Sequence, residues 1–86
     1  MRVRCASWIS WGPGGSAITL FDDRDGSYHA LNASASRIWT ALGEGRQPEE
    51  IGAAIAAAHQ RPLAEVQRDI DEFVALALAK GLLVTE

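Results

Sequence analysis

The sequence contains a single cysteine, and negative charge exceeds positive charge. Cys5 has no second cysteine with which to form an internal disulfide or a multi-cysteine metal site. Asp and Glu number 11 against 8 Lys and Arg, for a formal net charge of −3. Proteins that bind the nucleic-acid backbone usually carry clustered Lys and Arg, because phosphate neutralisation supplies most of the affinity. The composition therefore disfavours nucleic acid and favours a partner that is neutral, basic or largely apolar.

Long apolar runs are also missing. Arg2 and Arg4 precede Trp8 and Ile9, but the glycine-rich segment 12–15 interrupts the chain before the apolar core of a signal peptide can form. No stretch approaches the roughly 18 apolar residues that a membrane-spanning helix needs. We therefore expect a cytoplasmic protein with no membrane partner.

The chain is short, and nearly half of it is apolar. Its 86 residues, 48% of them hydrophobic, predict one folded domain that covers residues 1–86. A core of this size contributes only a few kcal/mol of net stability. A cleft that enclosed a small substrate would remove core that the fold needs. We therefore expect a binding protein that is not an enzyme and that uses no cofactor or metal.

Three predicted strands precede three predicted helices, which is an α+β order. The predicted strands cover residues 3–11, 17–21 and 27–31. Glycine and proline in 12–15 predict the first turn, and Asp25-Gly26 predicts a hairpin turn. Residues 82–84 are long enough only for a terminal strand or an extended tail.

Capping residues and apolar spacing define the helices. The predicted helices run from Ala33 to the glycines at 43 and 45, from Pro48 to about His59, and from Pro62 to just before Gly81. Asn32 is a good N-cap, because its side chain can accept a bond from an otherwise unpaired backbone N–H. In the third helix, apolar residues recur every three or four positions and predict one packed face.

No group of residues has the pattern of a catalytic or metal site. Cys5 and His29 could act as nucleophile and base only with a third group to orient them, and a cysteine in an apolar strand is usually structural. The acidic run 22–26 lacks the spacing of a calcium loop, since alignment on Gly26 puts Phe21 at the first ligand position. A hairpin turn explains this run better.

The third predicted strand, Ser27 to Leu31, has an outer edge that no other predicted strand pairs. It carries no Lys or Pro to block pairing, and an open edge is a liability unless it is covered or used. The C-terminal tail or a second copy of the chain could cover it, so the oligomeric state stays open, with a homodimer through this edge as one possibility. Alternatively, a partner peptide adds to the edge as a strand, and the third helix supplies the apolar wall.

Several short motifs follow one another in a particular order from about residue 17 onward. They are Leu20-Phe21-Asp22, Asp25-Gly26-Ser27-Tyr28-His29-Ala30-Leu31-Asn32, Ala35 with Ile38-Trp39, Pro48-Glu49-Glu50-Ile51, Val66 with Asp69-Ile70 and Phe73, and Gly81-Leu82-Leu83. Together they resemble the PqqD-like family, the recognition elements of ribosomally synthesised and post-translationally modified peptides (RiPPs). The resemblance covers nearly the whole chain from that point, and the first strand fits it loosely.

The resemblance implies a winged-helix-like fold, a three-stranded antiparallel sheet followed by three helices. Members of the family bind the leader segment of a precursor peptide antiparallel to the third strand and against the third helix. They deliver it to a modifying enzyme such as a leader peptidase, a cyclase or a radical SAM enzyme. We expect a stand-alone, non-catalytic adaptor of this kind. By position, the peptide-binding residues would be Tyr28, His29, Ala30 and Leu31 on the strand and Val66, Asp69, Ile70 and Phe73 on the helix.

A winged-helix DNA-binding or regulatory domain is the alternative, and a purely structural subunit that docks by the same edge is a third possibility. Charge separates the first two, because the third helix carries acidic residues that a phosphate backbone would repel. The acids are Glu65, Asp69, Asp71 and Glu72, against Arg68 and Lys80. The precursor, the enzyme and the product class, whether lasso peptide, pyrroloquinoline quinone or another, do not follow from the sequence.

Overall fold

The computed structural model describes residues 2–12 and 17–86, and these residues form an α+β fold. In chain order the elements are β1 (Val3–Cys5), β2 (Ile9–Ser10), β3 (Thr19–Asp22), β4 (Ser27–Ala30), α1 (Ala33–Gly43), α2 (Pro48–His59), α3 (Leu63–Ala79) and β5 (Leu83–Thr85). The predicted fold class, a three-stranded antiparallel sheet followed by three helices, is confirmed. A two-stranded sheet is present in addition.

The three-stranded sheet is the antiparallel meander β2-β3-β4, with β4 at one edge. Leu20 of β3 lies opposite His29 of β4, and Phe21 lies opposite Tyr28. The turn between β3 and β4 closes with a 2.8 Å bond from the Gly26 N–H to the Asp22 carbonyl. Gly26 has a φ of +75°, a conformation that glycine adopts without steric cost. The predicted hairpin turn is therefore present.

The prediction of one strand over residues 3–11 is wrong. A turn at Ser7 and Trp8, closed by a 3.1 Å bond from the Ile9 N–H to the Ala6 carbonyl, divides it into β1 and β2. The division follows from long-range contacts, because β1 pairs with β5 at the other end of the chain and only β2 pairs with β3. The C-terminal segment thus forms a strand on β1 and does not cover β4. Most of the turn predicted at 12–15 lies outside the described residues.

The helix starts follow their capping residues. The Asn32 carboxamide accepts a 2.8 Å bond from the Ala35 N–H, as expected of the predicted N-cap of α1. Pro48 is the first residue of α2, where its missing N–H has no helical partner to lose. Pro62 is the N-cap of α3, so that helix begins one residue later than predicted.

The end of α3 is a Schellman motif. Gly81 adopts a φ of +73°, and its N–H donates to the Leu78 carbonyl at 3.1 Å. The Leu82 N–H donates to the Ala77 carbonyl at 2.8 Å, which satisfies a second carbonyl of the last turn. This reversal returns the chain toward β1, so β5 follows only a few residues after the helix.

The core lies between the sheets and the helices. The largest fully buried side chains are Trp39, Leu20, Ile70, Leu83, Val3 and Val66. Along α3, Val66, Ile70, Val74 and Ala77 form one buried stripe at helical spacing. Trp39 of α1 is completely buried, with the edge of Trp11 at 5.2 Å between ring centroids. Trp39, part of the family motif, is therefore a core residue.

Candidate functional site

At the outer edge of β4, the backbone N–H and carbonyl groups of alternate residues face outward. Within residues 2–12 and 17–86, no strand pairs with that edge. The Leu31 N–H donates to the Ile18 carbonyl at 2.8 Å, so the peptide groups of Leu31 face β3. Because peptide groups alternate in direction along an antiparallel ladder, those of His29 also face β3, and those of Tyr28 and Ala30 face outward. The edge therefore offers two N–H donors and two carbonyl acceptors.

Side chains alternate along β4 as well. His29 and Leu31 are half-buried and lie on the side of the sheet that α3 covers. Tyr28 and Ala30 are exposed and lie on the opposite side. A strand added to this edge would therefore have its own side chains directed alternately toward α3 and away from it.

A cavity of about 360 Å³ separates β4 from the C-terminal half of α3. We call this cavity the groove. Its lining residues are His29, Ala30, Leu31, Asn32, Ala35, Phe73, Leu76, Ala77, Lys80 and Leu82. Most of these are apolar, and the long side chain of Leu76 remains 56% exposed. An apolar wall beside an open strand edge is the arrangement that binds an extended peptide, main chain to the edge and side chains to the wall.

The structure brings four of the eight predicted peptide-binding residues together at the groove. His29, Ala30 and Leu31 form its strand side, and Phe73 contributes to its helix side. The Tyr28 side chain points to the opposite face of the sheet, so only its backbone faces the same edge.

The other predicted helix residues lie elsewhere on α3. Val66 and Ile70 are fully buried in the core. Asp69 is exposed and lies 3.4 Å from the Arg61 guanidinium. All three line a separate cavity of about 290 Å³ between the helices, with Ser34 on its α1 side. Ala35 lines the groove, so the first turn of α1 separates the two cavities.

Three groove residues on α3, Leu76, Ala77 and Lys80, were not predicted from the sequence. Phe73, Leu76, Ala77 and Lys80 follow one another at positions i, i+3, i+4 and i+7 and form one face of the helix. This face lies beside the buried stripe, with which it shares Ala77. The helical spacing of this face is visible in the sequence, but the spacing does not show which of the two adjacent faces is exposed.

A larger cavity, of about 490 Å³, lies between α1 and α2. Alanine and isoleucine form much of its wall, with Arg37, Arg46 and His59 among the polar residues. None of the described strands borders it, so within the described residues it offers no strand edge with which an extended chain can pair. The groove beside β4 is therefore the better candidate for a peptide site.

Arg24 connects the strand side of the groove to its helix side. Its guanidinium binds the buried Asp22 carboxylate through two bonds, Nε to Oδ1 at 3.1 Å and Nη2 to Oδ2 at 2.7 Å. Nη2 also donates to the Lys80 carbonyl at the end of α3, at 3.1 Å. The Arg24 guanidinium holds the pKa of the Asp22 carboxyl below its ordinary value of 3.8. The hairpin turn is thereby fastened to the C-terminus of α3.

Trp8 completes this connection. Its indole Nε1 donates to the Gly81 carbonyl at 2.8 Å, and the Arg24 guanidinium carbon lies 4.8 Å from its ring centroid. A Cβ at position 81 would lie 2.6 Å from Arg24 Nη2 and would displace the end of that side chain, and the positive φ of Gly81 also favours glycine. We call Trp8, Asp22, Arg24 and Gly81 the clamp. It connects the turn between β3 and β4 to the C-terminus of α3, and the sequence predicted its acidic part only as a turn.

The surroundings of Cys5 disfavour its thiolate. Burial raises the pKa of the Cys5 thiol to about 11, so this thiol is protonated at neutral pH. Across the described part of the chain, no three His, Cys, Asp or Glu side chains are grouped as metal ligands. None of the helices described is long and apolar enough to cross a membrane.

Comparison with known proteins gives one family and two closely similar structures. The family model of PqqD, coenzyme PQQ synthesis protein D, matches residues 18–83. The structure of TbiB1 in complex with the TbiA(beta) leader peptide is 32% identical, with a TM-score of 0.87 over 93% of each chain. Lasso peptide synthetase B1 complexed with the leader peptide is 24% identical and shares the fold, with a TM-score of 0.86 over 98% of this chain and 99% of that one. No curated protein matched the sequence.

Proposed function

The chain belongs to the PqqD family, and on that premise we propose that it binds the leader segment of a ribosomally made precursor peptide and presents it to a modifying enzyme. The family resemblance inferred from the sequence motifs is confirmed. Two proteins of the same fold, one of them 32% identical, have structures in complex with leader peptides.

The single observation that carries the proposal is the open edge of β4 beside an apolar groove. Tyr28 and Ala30 direct their peptide groups outward, and Leu76 and Phe73 supply apolar surface on the helix side of the adjoining groove. A peptide in extended conformation satisfies both features at once, because its backbone pairs with the edge and every second side chain enters the groove. A small rigid ligand would use the cavity and leave the edge unpaired.

Binding, and not catalysis, is the contribution we propose. The protein would hold the leader and thereby raise the effective concentration of the rest of the precursor at the enzyme. The partner enzyme would be a leader peptidase, a cyclase or a radical SAM enzyme. We place this function in the cytoplasm, where a ribosomal product meets its first modifying enzyme, with residues 1–86 acting as one peptide-binding domain.

Calorimetric titration tests the proposal directly. The probe is a synthetic leader of the short precursor encoded next to this chain's gene, and we expect saturable 1:1 binding. The Leu76→Ala variant removes an exposed apolar side chain from the groove, and we expect it to weaken binding about tenfold, as for a central contact residue. Leu63→Ala is the matched control, because Leu63 is on the same helix, is 53% exposed and does not line the groove.

The result that would overturn the proposal is equally specific. No heat of binding at high micromolar leader, or equal effects of the Leu76 and Leu63 variants, would remove the groove as the peptide site. Circular dichroism of both variants confirms that each is folded.

A second copy of the chain is the competing occupant of the β4 edge. We propose that any such homodimer is displaced by the leader, because both would need the peptide groups of Tyr28 and Ala30. Sedimentation with and without leader tests this, since a dimer that persists with bound peptide uses another surface.

A further inference from the structure

We propose that Tyr28 is a specificity-determining residue that contacts the bound peptide on the side facing away from the groove, where it selects an aromatic or β-branched side chain. This inference rests on the proposed function, since it concerns the same added strand. It assigns a second recognition surface, made by Tyr28 and Phe21 on the exposed face of the sheet.

The Tyr28 side chain is largely exposed beside the open edge of β4. Its ring lies 5.0 Å from the Phe21 ring, with an interplanar angle of 58°, and Phe21 is its direct partner in the β3–β4 register. Phe21 therefore covers the side of Tyr28 that faces β3. The remaining surface, 70% of the residue, faces solvent and the edge where no described strand follows.

The backbone phase places one peptide side chain next to this ring. Since the N–H and carbonyl of Tyr28 face outward, an antiparallel added strand exchanges both bonds with Tyr28 at a single residue. Residues directly opposite each other in a sheet carry their side chains on the same face. The peptide residue opposite Tyr28 therefore cannot enter the groove and lies against the Tyr28 ring.

The bound peptide is thus recognised on two faces in alternation. Peptide side chains opposite His29 and Leu31 enter the groove. Peptide side chains opposite Tyr28 and Ala30 lie on the other face of the sheet, beside the Tyr28 ring. Aromatic–aromatic and aromatic–β-branched pairs are the favourable cross-strand neighbours of a tyrosine. The part of the leader that binds should therefore have an aromatic or β-branched residue directly next in sequence to an apolar residue that enters the groove.

Double-mutant cycles test this assignment. The Tyr28→Ala variant and alanine substitutions at each successive residue of the leader are combined, and affinities are measured by calorimetry. We expect Tyr28→Ala to weaken binding about threefold and to couple with one peptide residue or with residues two apart. The intervening peptide residues should couple instead with Leu76→Ala. Tyr28→Phe, which keeps the ring, should retain the wild-type affinity.

Three outcomes would overturn the inference. Coupling of Tyr28 to no peptide residue, or to the same residues as Leu76, would contradict a second face of recognition. A preference for Lys or Arg over aromatic and β-branched residues at the coupled position would contradict the assigned side-chain class. Because Leu76→Ala tests the groove independently, these results remain distinguishable from a failure of leader binding itself.

Discussion

Two of the edge strands in the described sheets, β1 and β4, differ in what their outward-facing peptide groups contact. At β1, Val3 directs its peptide groups away from β5, and the buried Gln47 carboxamide binds both of them. The Val3 N–H donates to Gln47 Oε1 at 3.0 Å, and Gln47 Nε2 donates to the Val3 carbonyl at 3.2 Å. At β4, the corresponding groups of Tyr28 and Ala30 have no partner among the described residues. The chain itself closes one edge, and the other is open among the described residues.

The two edges differ because the side-chain amide of the adjacent helix N-cap residue binds the strand at β1 but not at β4. Gln47 is the N-cap of α2, and its own N–H donates to Glu50 Oε1 at 3.1 Å, which fixes the residue beside β1. Asn32, the carboxamide beside β4, accepts from the Ala35 N–H and caps α1 instead. An amide at each edge is thus present, but only the one at β1 is oriented toward the strand.

The largest expected effects come from proline substitutions in β4, one at a residue whose N–H faces outward and one at a residue whose N–H faces β3. Ala30→Pro removes an outward N–H and should lower leader affinity at least thirtyfold while the protein stays folded, since proline is tolerated at strand edges. His29→Pro removes an N–H that faces β3 and should destabilise folding by about 3 kcal/mol or more. Calorimetry and urea unfolding measure the two effects.

The matched control is Ala30→Val, which retains the backbone N–H and should lower leader affinity far less than Ala30→Pro does. If His29→Pro lost binding without loss of stability, or Ala30→Pro unfolded the protein, the assigned phase of the edge would be wrong.

The closed edge should respond in the opposite sense. Gln47→Ala leaves a buried N–H and carbonyl of Val3 unpaired and should cost about 2–3 kcal/mol of unfolding free energy. Leader affinity, measured under conditions where the variant is folded, should not change, because Gln47 is not among the residues that line the groove. Gln67→Ala is the control, since Gln67 makes a 3.3 Å bond to the Pro48 carbonyl but closes no strand edge. A loss as large in Gln67→Ala would show that Val3 is not the cause.

A smaller effect is expected from the clamp. Arg24→Lys keeps the positive charge but loses the two-pronged contact with Asp22, and Arg24→Ala removes both. The Arg24 side chain is 46% exposed, so solvent screens the ion pair, but Arg24→Ala leaves the buried Asp22 carboxylate without its partner, and we expect it to lower stability. Leader affinity should fall about fivefold in Arg24→Ala and less in Arg24→Lys, as the turn between β3 and β4 loses its connection to α3. Unchanged affinity in both variants would show that the clamp does not set the groove.

Local signals in the sequence predicted one of these edges and missed the other. The hairpin around Gly26, the Asn32 cap and the spacing of α3 depend on neighbours a few residues apart, and together they define β4 and Phe73. The Gln47 and Trp8 contacts connect residues 44 and 73 positions apart. No local sequence pattern predicts these two contacts, because glutamine before a helix and tryptophan in an apolar run also occur without such contacts. The same reason explains the wrong prediction of a single first strand, since β1 is defined by β5.

Val66 and Ile70 were expected at the peptide site from their motif alone, which does not separate the core face of a helix from its adjacent exposed face.

The smallest effect distinguishes the two edges by pH. The closed edge is held by a neutral amide, whereas the groove is held by the Asp22 carboxylate, whose pKa is lowered from 3.8 by Arg24. A carboxyl with a depressed folded-state pKa contributes stability that is present above its unfolded pKa, near 4, and is lost as pH falls through the folded value. As pH falls below about 4 we therefore expect amide exchange at Arg24 and Gly81 to increase before exchange at Val3 does. Asp22→Asn removes the titrating group, so its clamp amides should show no such dependence on pH beyond the intrinsic one. If Val3 opened first, or the Asn variant behaved as wild type, the acid sensitivity would belong to another carboxyl, such as Asp25, whose pKa is lowered by its bonds from Ser27.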